Sequence, residues 1–299
     1  MTDKTSNTNP TAPSASGDQS DRTIIITGGS DGIGAAAARA LSRAGASVVI
    51  VGRSAAKTAA IAAELGADSF TADFGSLDEV RALAATLLER YPRIDVLANN
   101  AGGIMGKRVL TVDGHEKTFQ VNHLAPFLLT TLLTDRLLES HARVINTASV
   151  ANSVYARFDI DDLDGTTKYS PNRAYGNAKL ANILFTRQLH HRYHEQGLAT
   201  AAFHPGVVAT SFSANSTSVM RFLYQTPLKR MLITPEQGAD TLVWLASAPL
   251  NEWISGEYYD KRLVAKANKL AYDPALAAAL WEKSEAMVGA TAPAAPTLE

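Results

Sequence analysis

Tyr175 and Lys179 lie four residues apart at the head of a long stretch with helical apolar periodicity. On a helix, that spacing projects both side chains from one face. A phenol beside an ammonium can act as a proton-transfer device, because a nearby cation favours phenolate and lowers a pKa that starts near about 10. The spacing alone also describes an amphipathic tyrosine beside a snorkelling lysine. A second cluster gives the pair a context: the turn Thr27-Gly28-Gly29-Ser30-Asp31-Gly32-Ile33-Gly34, set between a β-branched run and an Ala-rich segment. Glycines in such a turn let backbone N–H groups approach a pyrophosphate, and the following helix N-terminus is the positive end of a dipole. Gly28, Ser30, Asp31, Gly32, Ile33 and Gly34 are therefore candidate dinucleotide-binding residues.

Further candidates sit where later strands should end. A site for NAD usually has a carboxylate after the second strand, to accept from the ribose 2′-hydroxyl. Here Arg53 and Ser54 occupy that place, and a guanidinium fork matches a 2′-phosphate, which argues for NADP over NAD. Asp31, in the glycine turn, could repel that phosphate. After the third strand, Asp73 could accept from an adenine amino group, with the Phe74 ring packing nearby. After the fourth, Asn99-Asn100-Ala101-Gly102 is small enough for a cofactor to lie against the backbone. His190 and His194 have a spacing that suits two metal ligands, but no carboxylate motif accompanies them. Asp159, Asp161, Asp162 and Asp164 lack the Gly and Glu of a calcium loop. No metal is expected.

The elements that must position these residues alternate β and α. Strands are expected over Thr23–Thr27, Ser47–Val51, Ser69–Ala72, Ile94–Ala98, Arg143–Thr147, Leu198–His204 and Glu257–Tyr259. Helices are expected over Gly32–Ala44, Ala55–Leu65, Ser76–Tyr91, a bent Thr111–Ser140, the Tyr175 helix to Gln196, Pro235–Ser247 and Pro274–Val288. This alternation specifies a parallel sheet. Residues 1–21 and 289–299 are expected to be flexible tails, and 211–233, with Phe212, Phe222 and Tyr224, a substrate lid.

The chain has 299 residues, 46% of them hydrophobic and 19% charged, which suits one α/β domain of about 250 residues. A formal net charge of −1 gives no electrostatic case for nucleic acid. The absence of cysteine excludes disulfides and thiol catalysis. No apolar run is long enough for a membrane span and no signal segment is evident, so a cytoplasmic location is expected.

Thr27-Gly28-(x)3-Gly32-Ile33-Gly34, Asn99-Asn100-Ala101-Gly102, Asn122, Ser149, Tyr175-(x)3-Lys179 and Pro205-Gly206 occur in the order and at about the spacing of the short-chain dehydrogenase/reductase family. The chain resembles that family over about residues 22–288. It is most similar to the retinol-dehydrogenase-like branch, on Phe119–Leu124, Lys179–Thr186 and Leu280–Glu285. The resemblance implies a single-domain, doubly wound Rossmann fold with about seven parallel strands flanked by helices. It also implies an NADP(H)-dependent oxidoreductase acting on an alcohol or carbonyl of a fairly apolar small molecule. By the same resemblance Ser149 binds the substrate oxygen, with Ala148 standing where a second serine is common. Tyr175 exchanges a proton with that oxygen, Lys179 supports the phenolate and bonds the nicotinamide ribose, and Asn122 holds a water that links Lys179 to solvent. Asn100, Ala101, Gly102, Thr147, Pro205, Gly206, Val208 and Thr210 would line the cofactor. Self-association into a homodimer or homotetramer would use the Thr111–Ser140 and Ala174–Gln196 helices. Two alternatives stay open: a cofactor-sensing or interaction protein without turnover, and an NAD-preferring dehydrogenase.

Overall fold

Three consecutive isoleucines, Ile24, Ile25 and Ile26, are wholly buried in the first strand of the computed structural model, which describes residues 13–206 and 233–289. Strands apolar on both sides belong in a parallel sheet covered by helices on both faces. The strands are β1 (Thr23–Thr27), β2 (Ser47–Gly52), β3 (Asp68–Thr71), β4 (Val96–Asn99), β5 (Arg143–Thr147), β6 (Ala199–His204), β7 (Tyr258–Asp260) and β8 (Leu263–Val264). They form one sheet in the order β3-β2-β1-β4-β5-β6-β7-β8, parallel except for the β7–β8 pair. The order reverses between β1 and β4, and a crevice at such a switch point, outside the strand carboxyl ends, is where this topology binds ligands.

The described helices are α1 (Gly32–Arg43), α2 (Ala55–Leu65), α3 (Leu77–Arg90), α4 (Lys117–Phe119), α5 (Ala125–Leu132), α6 (Thr134–Glu139), α7 (Ala151–Val154), α8 (Pro171–Tyr193), α9 (Pro235–Ser247) and α10 (Pro274–Val288). Val208, Thr210 and the expected lid, apart from Ile233, lie outside the described residues.

Several expectations need correction. The seventh parallel strand is joined by β8, turned by Lys261 and Arg262 at φ 50° and 64°. Non-glycine residues in the left-handed region give no Asn-Gly signal from which a hairpin is read. The bent helix expected over Thr111–Ser140 begins only at Lys117, where the Glu116 carboxylate accepts from Thr118 N and Phe119 N. It then passes through a π-helical turn, Gln120–Leu124, before α5. At the other end of the chain, the expected tail is ordered in its described part, residues 13–21. Gln19 is 5% exposed and donates its N–H to the carbonyl of Ala44 at 2.9 Å, and Ser16 N donates to Ser247 Oγ at 2.8 Å. These polar residues complete the ends of α1 and α9, a role that composition does not reveal.

The Trp281 ring of α10 packs on Phe127 of α5 (5.1 Å between centroids) and Phe185 of α8 (5.8 Å). The helices expected to mediate self-association are thus overlain by a helix of the same chain. Among the described residues, no helix is long and apolar enough to cross a membrane.

Candidate active site

The glycine turn is built by close backbone approach. A Cβ on Gly34 would lie 2.2 Å from the Gly28 carbonyl oxygen, and one on Gly28, at φ +66°, would lie 2.9 Å from Ala101 Cα. Thr27 Oγ1 accepts from the N–H groups of Asn100 and Ala101, each at 3.0 Å, and Asn100 Nδ2 donates to Thr27 O at 3.0 Å. The turn after β1 and the Asn99–Gly102 turn after β4 are thereby bonded to one another across the switch point. The first turn of α1 adds backbone N–H groups without intrahelical partners.

Asp31 does not stand as a bare charge here. Its Oδ1 accepts from Gly32 N at 2.7 Å, capping α1, and its Oδ2 accepts from Lys57 Nζ at 2.7 Å. The negative charge expected to oppose a 2′-phosphate is therefore offset by a cation from α2. Arg53 is exposed at the end of β2 and makes no ion pair among the described residues. Ser54 caps α2 through its bond from Lys57 N. Ser30 packs beside Gly52, where a Cβ would come 2.6 Å from Ser30 Oγ. After β3, Asp73 Oδ1 accepts from Gly75 N. The Phe74 ring is 5% exposed in the core, so it packs inward and is not free to cover a ligand. This donor set of free backbone N–H groups, an unpaired guanidinium and glycine turns fits a dinucleotide phosphate.

On the far side of the switch point, Tyr175 and Lys179 project from α8, whose start is set by Ser170 as N-cap and Pro171 at the first position. Lys179 is 2% exposed, and its Nζ donates to the Thr147 carbonyl at the end of β5 at 2.9 Å. The ammonium lies 5.4 Å from the centre of the Tyr175 ring. Ser149 is the polar side chain that favours ionisation of the Tyr175 phenol. Ser149 itself is held by Asn152 Nδ2, which donates to its carbonyl at 2.6 Å.

Burial dominates both ionisations. It pushes the Tyr175 phenol up to about 12 against the opposing influence of Ser149, and it pushes the Lys179 ammonium down to about 7. The expected lowering of the phenol by the ammonium is therefore outweighed here, where the cation faces the ring and bonds a backbone carbonyl.

Asn122, 1% exposed, sits in the π-helical turn. Its Nδ2 donates to Thr118 O at 2.7 Å and to Gly103 O at 2.8 Å, and its Oδ1 accepts from Gly103 N at 3.0 Å. The side-chain amide thus occupies the carbonyl four residues back that an α-helical N–H would use. Pro126, four residues on, has no N–H to give the Asn122 carbonyl. A Cβ on Gly102 would stand 2.4 Å from Asn122 Oδ1 and 3.2 Å from Lys179 Nζ, so the absence of a side chain there brings β4, Asn122 and Lys179 together. Gly176 does the same between helices: its Cβ would meet Ala156 N at 2.7 Å. Thr147, 8% exposed, lies within 3.4 Å of Asn100 Oδ1. Pro205 and Gly206, at φ +86°, follow β6 at the same edge. Sequence reasoning missed Gly176, Asn152 and Pro126; only the Pro four residues after Asn122 offered a local signal.

A doubly wound sheet with a glycine turn at its switch point, and a Ser, Tyr and Lys group beside it, defines a nucleotide-dependent oxidoreductase. The short chain dehydrogenase family model matches residues 22–220, and the chain belongs to that family. It is 43% identical over 278 residues to DnrU of Streptomyces sp. (strain C5), named for a proposed daunorubicin C-13 ketoreductase activity, covering 91% of this chain and 94% of that one. Human retinol dehydrogenase 13 is 35% identical over 285 residues, covering 91% and 86%. Among solved structures, the RhlG/NADP active-site complex of Pseudomonas aeruginosa superimposes with a TM-score of 0.65 at 27% identity, covering 81% of this chain and 94% of that one. The protein is a short-chain dehydrogenase/reductase of the retinol-dehydrogenase-like branch.

Proposed function

We propose that this enzyme uses NADP(H) to interconvert a carbonyl and a secondary or primary alcohol on a largely apolar small molecule, with Tyr175 as acid and base. The observation that carries this reading is the buried Lys179 ammonium 5.4 Å from the centre of the Tyr175 ring, with Ser149 acting on the same phenol. A bound nicotinamide supplies or accepts the hydride. In the reductive direction, Ser149 and Tyr175 hold the carbonyl oxygen between two hydroxyl donors, and Tyr175 delivers its proton as negative charge develops there. Lys179 holds its cation against the phenol ring and is placed to bond the ribose hydroxyls. Asn122 fixes the turn beside it, and its backbone carbonyl, lacking the α-type donor, is placed to hold a water on the path from Lys179 to solvent.

NADP is favoured by the exposed Arg53, by Ser54 and by the offset of Asp31 through Lys57. The NADP complex of the Pseudomonas relative is consistent with that choice. Val208 and Thr210 would complete the nicotinamide side. The residues directly after Ser149 favour an apolar substrate: Val150, Val154 and Tyr155 are 45%, 52% and 45% exposed. The relatives named for retinol and for the daunorubicin ketone point the same way.

Following NADPH absorbance over a panel of aryl ketones, aldehydes and polyene alcohols tests the reading. Tyr175→Phe should lower kcat/KM on an accepted substrate by about 10²–10⁴-fold; turnover equal to wild type would refute the proton role. Arg53→Ala should weaken NADPH roughly tenfold while leaving NADH unchanged, as expected for loss of a charge-assisted contact. Equal NADPH affinity in both proteins would refute the 2′-phosphate assignment.

A further inference from the structure

A line of buried polar side chains runs behind the active site from Lys179 to α10. The Thr147 carbonyl that receives Lys179 Nζ also receives Asn182 Nδ2, at 3.2 Å. Asn182 Oδ1 lies 3.3 Å from His123 Nδ1, and His123 Nε2 lies 2.9 Å from Ser284 Oγ. Asn182 is 4% exposed, and His123 and Ser284 are fully buried.

The direction of every bond follows from the carbonyl at its end. Thr147 O can only accept, so Asn182 must turn its NH2 towards it and its Oδ1 towards His123. Oδ1 can only accept, so the hydrogen of the imidazole sits on Nδ1. A neutral imidazole then has a bare Nε2, which accepts the Ser284 hydroxyl. Neutrality is enforced by the surroundings: the rings of Phe119, Phe127 and Phe185 face His123, and burial pushes its pKa down to about 4. If Ser284 lost its hydroxyl, Nε2 would be left without a donor, while Asn182 Oδ1 would still hold the hydrogen on Nδ1. The other tautomer would set Nδ1 against Asn182 Oδ1 lone pair to lone pair, and turning the amide would set the same clash against Thr147 O, so the loss leaves a bare, buried Nε2 at the outer end of the line and loosens it. One hydroxyl on α10 thus satisfies the outer end of a line whose direction the Thr147 carbonyl sets.

We infer that Ser284, His123 and Asn182 are positioning residues that fix the Thr147 carbonyl and, through it, the Lys179 ammonium, so that docking of α10 is a condition for the active-site geometry. The inference rests on the role proposed above for Lys179. It explains why a histidine stands among aromatic rings, where an apolar residue would fill the space without needing two partners.

The test uses the full-length protein and reads the line independently of turnover. Imidazole 15N shifts should show His123 in the Nδ1–H tautomer, and a wild-type spectrum with the hydrogen on Nε2 would overturn the inference outright. Ser284→Ala should shift the His123 Nε2 resonance, as for a nitrogen that has lost its donor, and, by loosening Asn182 from the Thr147 carbonyl, move the Lys179 titration, followed by 13C NMR at Cε, from near 7 upwards. In the same variant, kcat for carbonyl reduction should fall roughly tenfold with little change in substrate KM, a size typical of coupling along one hydrogen-bond network, and Ser284→Thr should restore it. Asn182→Ala breaks the line from the other side and should move the Lys179 titration in the same direction. An unchanged Nε2 shift and Lys179 titration in Ser284→Ala would refute the inference, as would a loss of kcat that only follows melting temperature and is not restored by threonine. A wild type showing the tautomer and the coupled titration, yet turning over no substrate in the panel, would refute the proposed function while supporting the line.

Discussion

Lys179 is almost completely enclosed, with its ammonium on a backbone carbonyl and no carboxylate paired with it among the described residues, so the folded protein binds that proton less tightly than the unfolded chain does. Between the folded value of about 7 and the ordinary 10.5, the unfolded state holds a proton that the folded state has lost. The stability contributed at this position therefore rises with pH across that window and is flat below it. Chemical denaturation of wild type and Lys179→Met should show this as a stability difference that grows in favour of wild type from neutral to mildly alkaline pH. A difference that stays constant would mean that Lys179 titrates near its ordinary value. Tyr175 is shifted the opposite way, up to about 12, and stays protonated at neutral pH, which is the state needed to reduce a carbonyl. Both residue types and their spacing were legible in the sequence. Their ionisation was not, because it is set by enclosure from β4, β5 and α7, each contributed by a different part of the chain.

The helices hold the site through two places where a side chain is missing or misplaced for an ordinary helix. Asn122 uses its amide on Thr118 O, and the chain widens to a π-turn around it; the sequence foreshadowed only a bend, because an Asn inside a helix signals cost without specifying the outcome. Gly176, next to Tyr175, lets α7 lie against α8 close enough to present Ser149 to the phenol. Gly176→Ala should force the two helices apart. The expected cost is about 1–3 kcal/mol, typical of overpacking, with a further loss of kcat because Ser149 moves relative to Tyr175. Denaturant midpoints and initial rates would check both, and a variant with wild-type values of each would show that the contact can relax.

For the whole molecule, α10 decides what covers the outer face of α5 and α8. Trp281 lies 2% exposed between Phe127 and Phe185, with the Arg192 guanidinium 4.3 Å from its ring centre. Trp281→Ala should cost about 3–5 kcal/mol, as for other large aromatic deletions in cores. It should also lower kcat if α10 positions Lys179 through Ser284. Urea unfolding followed by circular dichroism measures the first effect, and a cost below about 1 kcal/mol would show that the helix is only loosely applied. This face of α5 and α8 is thus covered from within the chain.

By itself, the sequence determined the strand–helix alternation, the glycine turn, the Asn99–Gly102 turn and the Tyr175–Lys179 pair, because each is encoded by neighbours within a few residues: apolar periodicity, glycine freedom and helical spacing. The helices Ala55–Leu65, Pro235–Ser247 and Pro274–Val288 and the strands Thr23–Thr27 and Arg143–Thr147 match their expected bounds for that reason. Only the tertiary structure decided that Lys57 neutralises Asp31, that Phe74 turns inward, that residues 13–21 close helix ends, and that Ser284 reaches His123 across 161 positions. Such contacts depend on which faces meet after the sheet closes, and the free energy of burial that selects them has no counterpart in any local stretch of sequence.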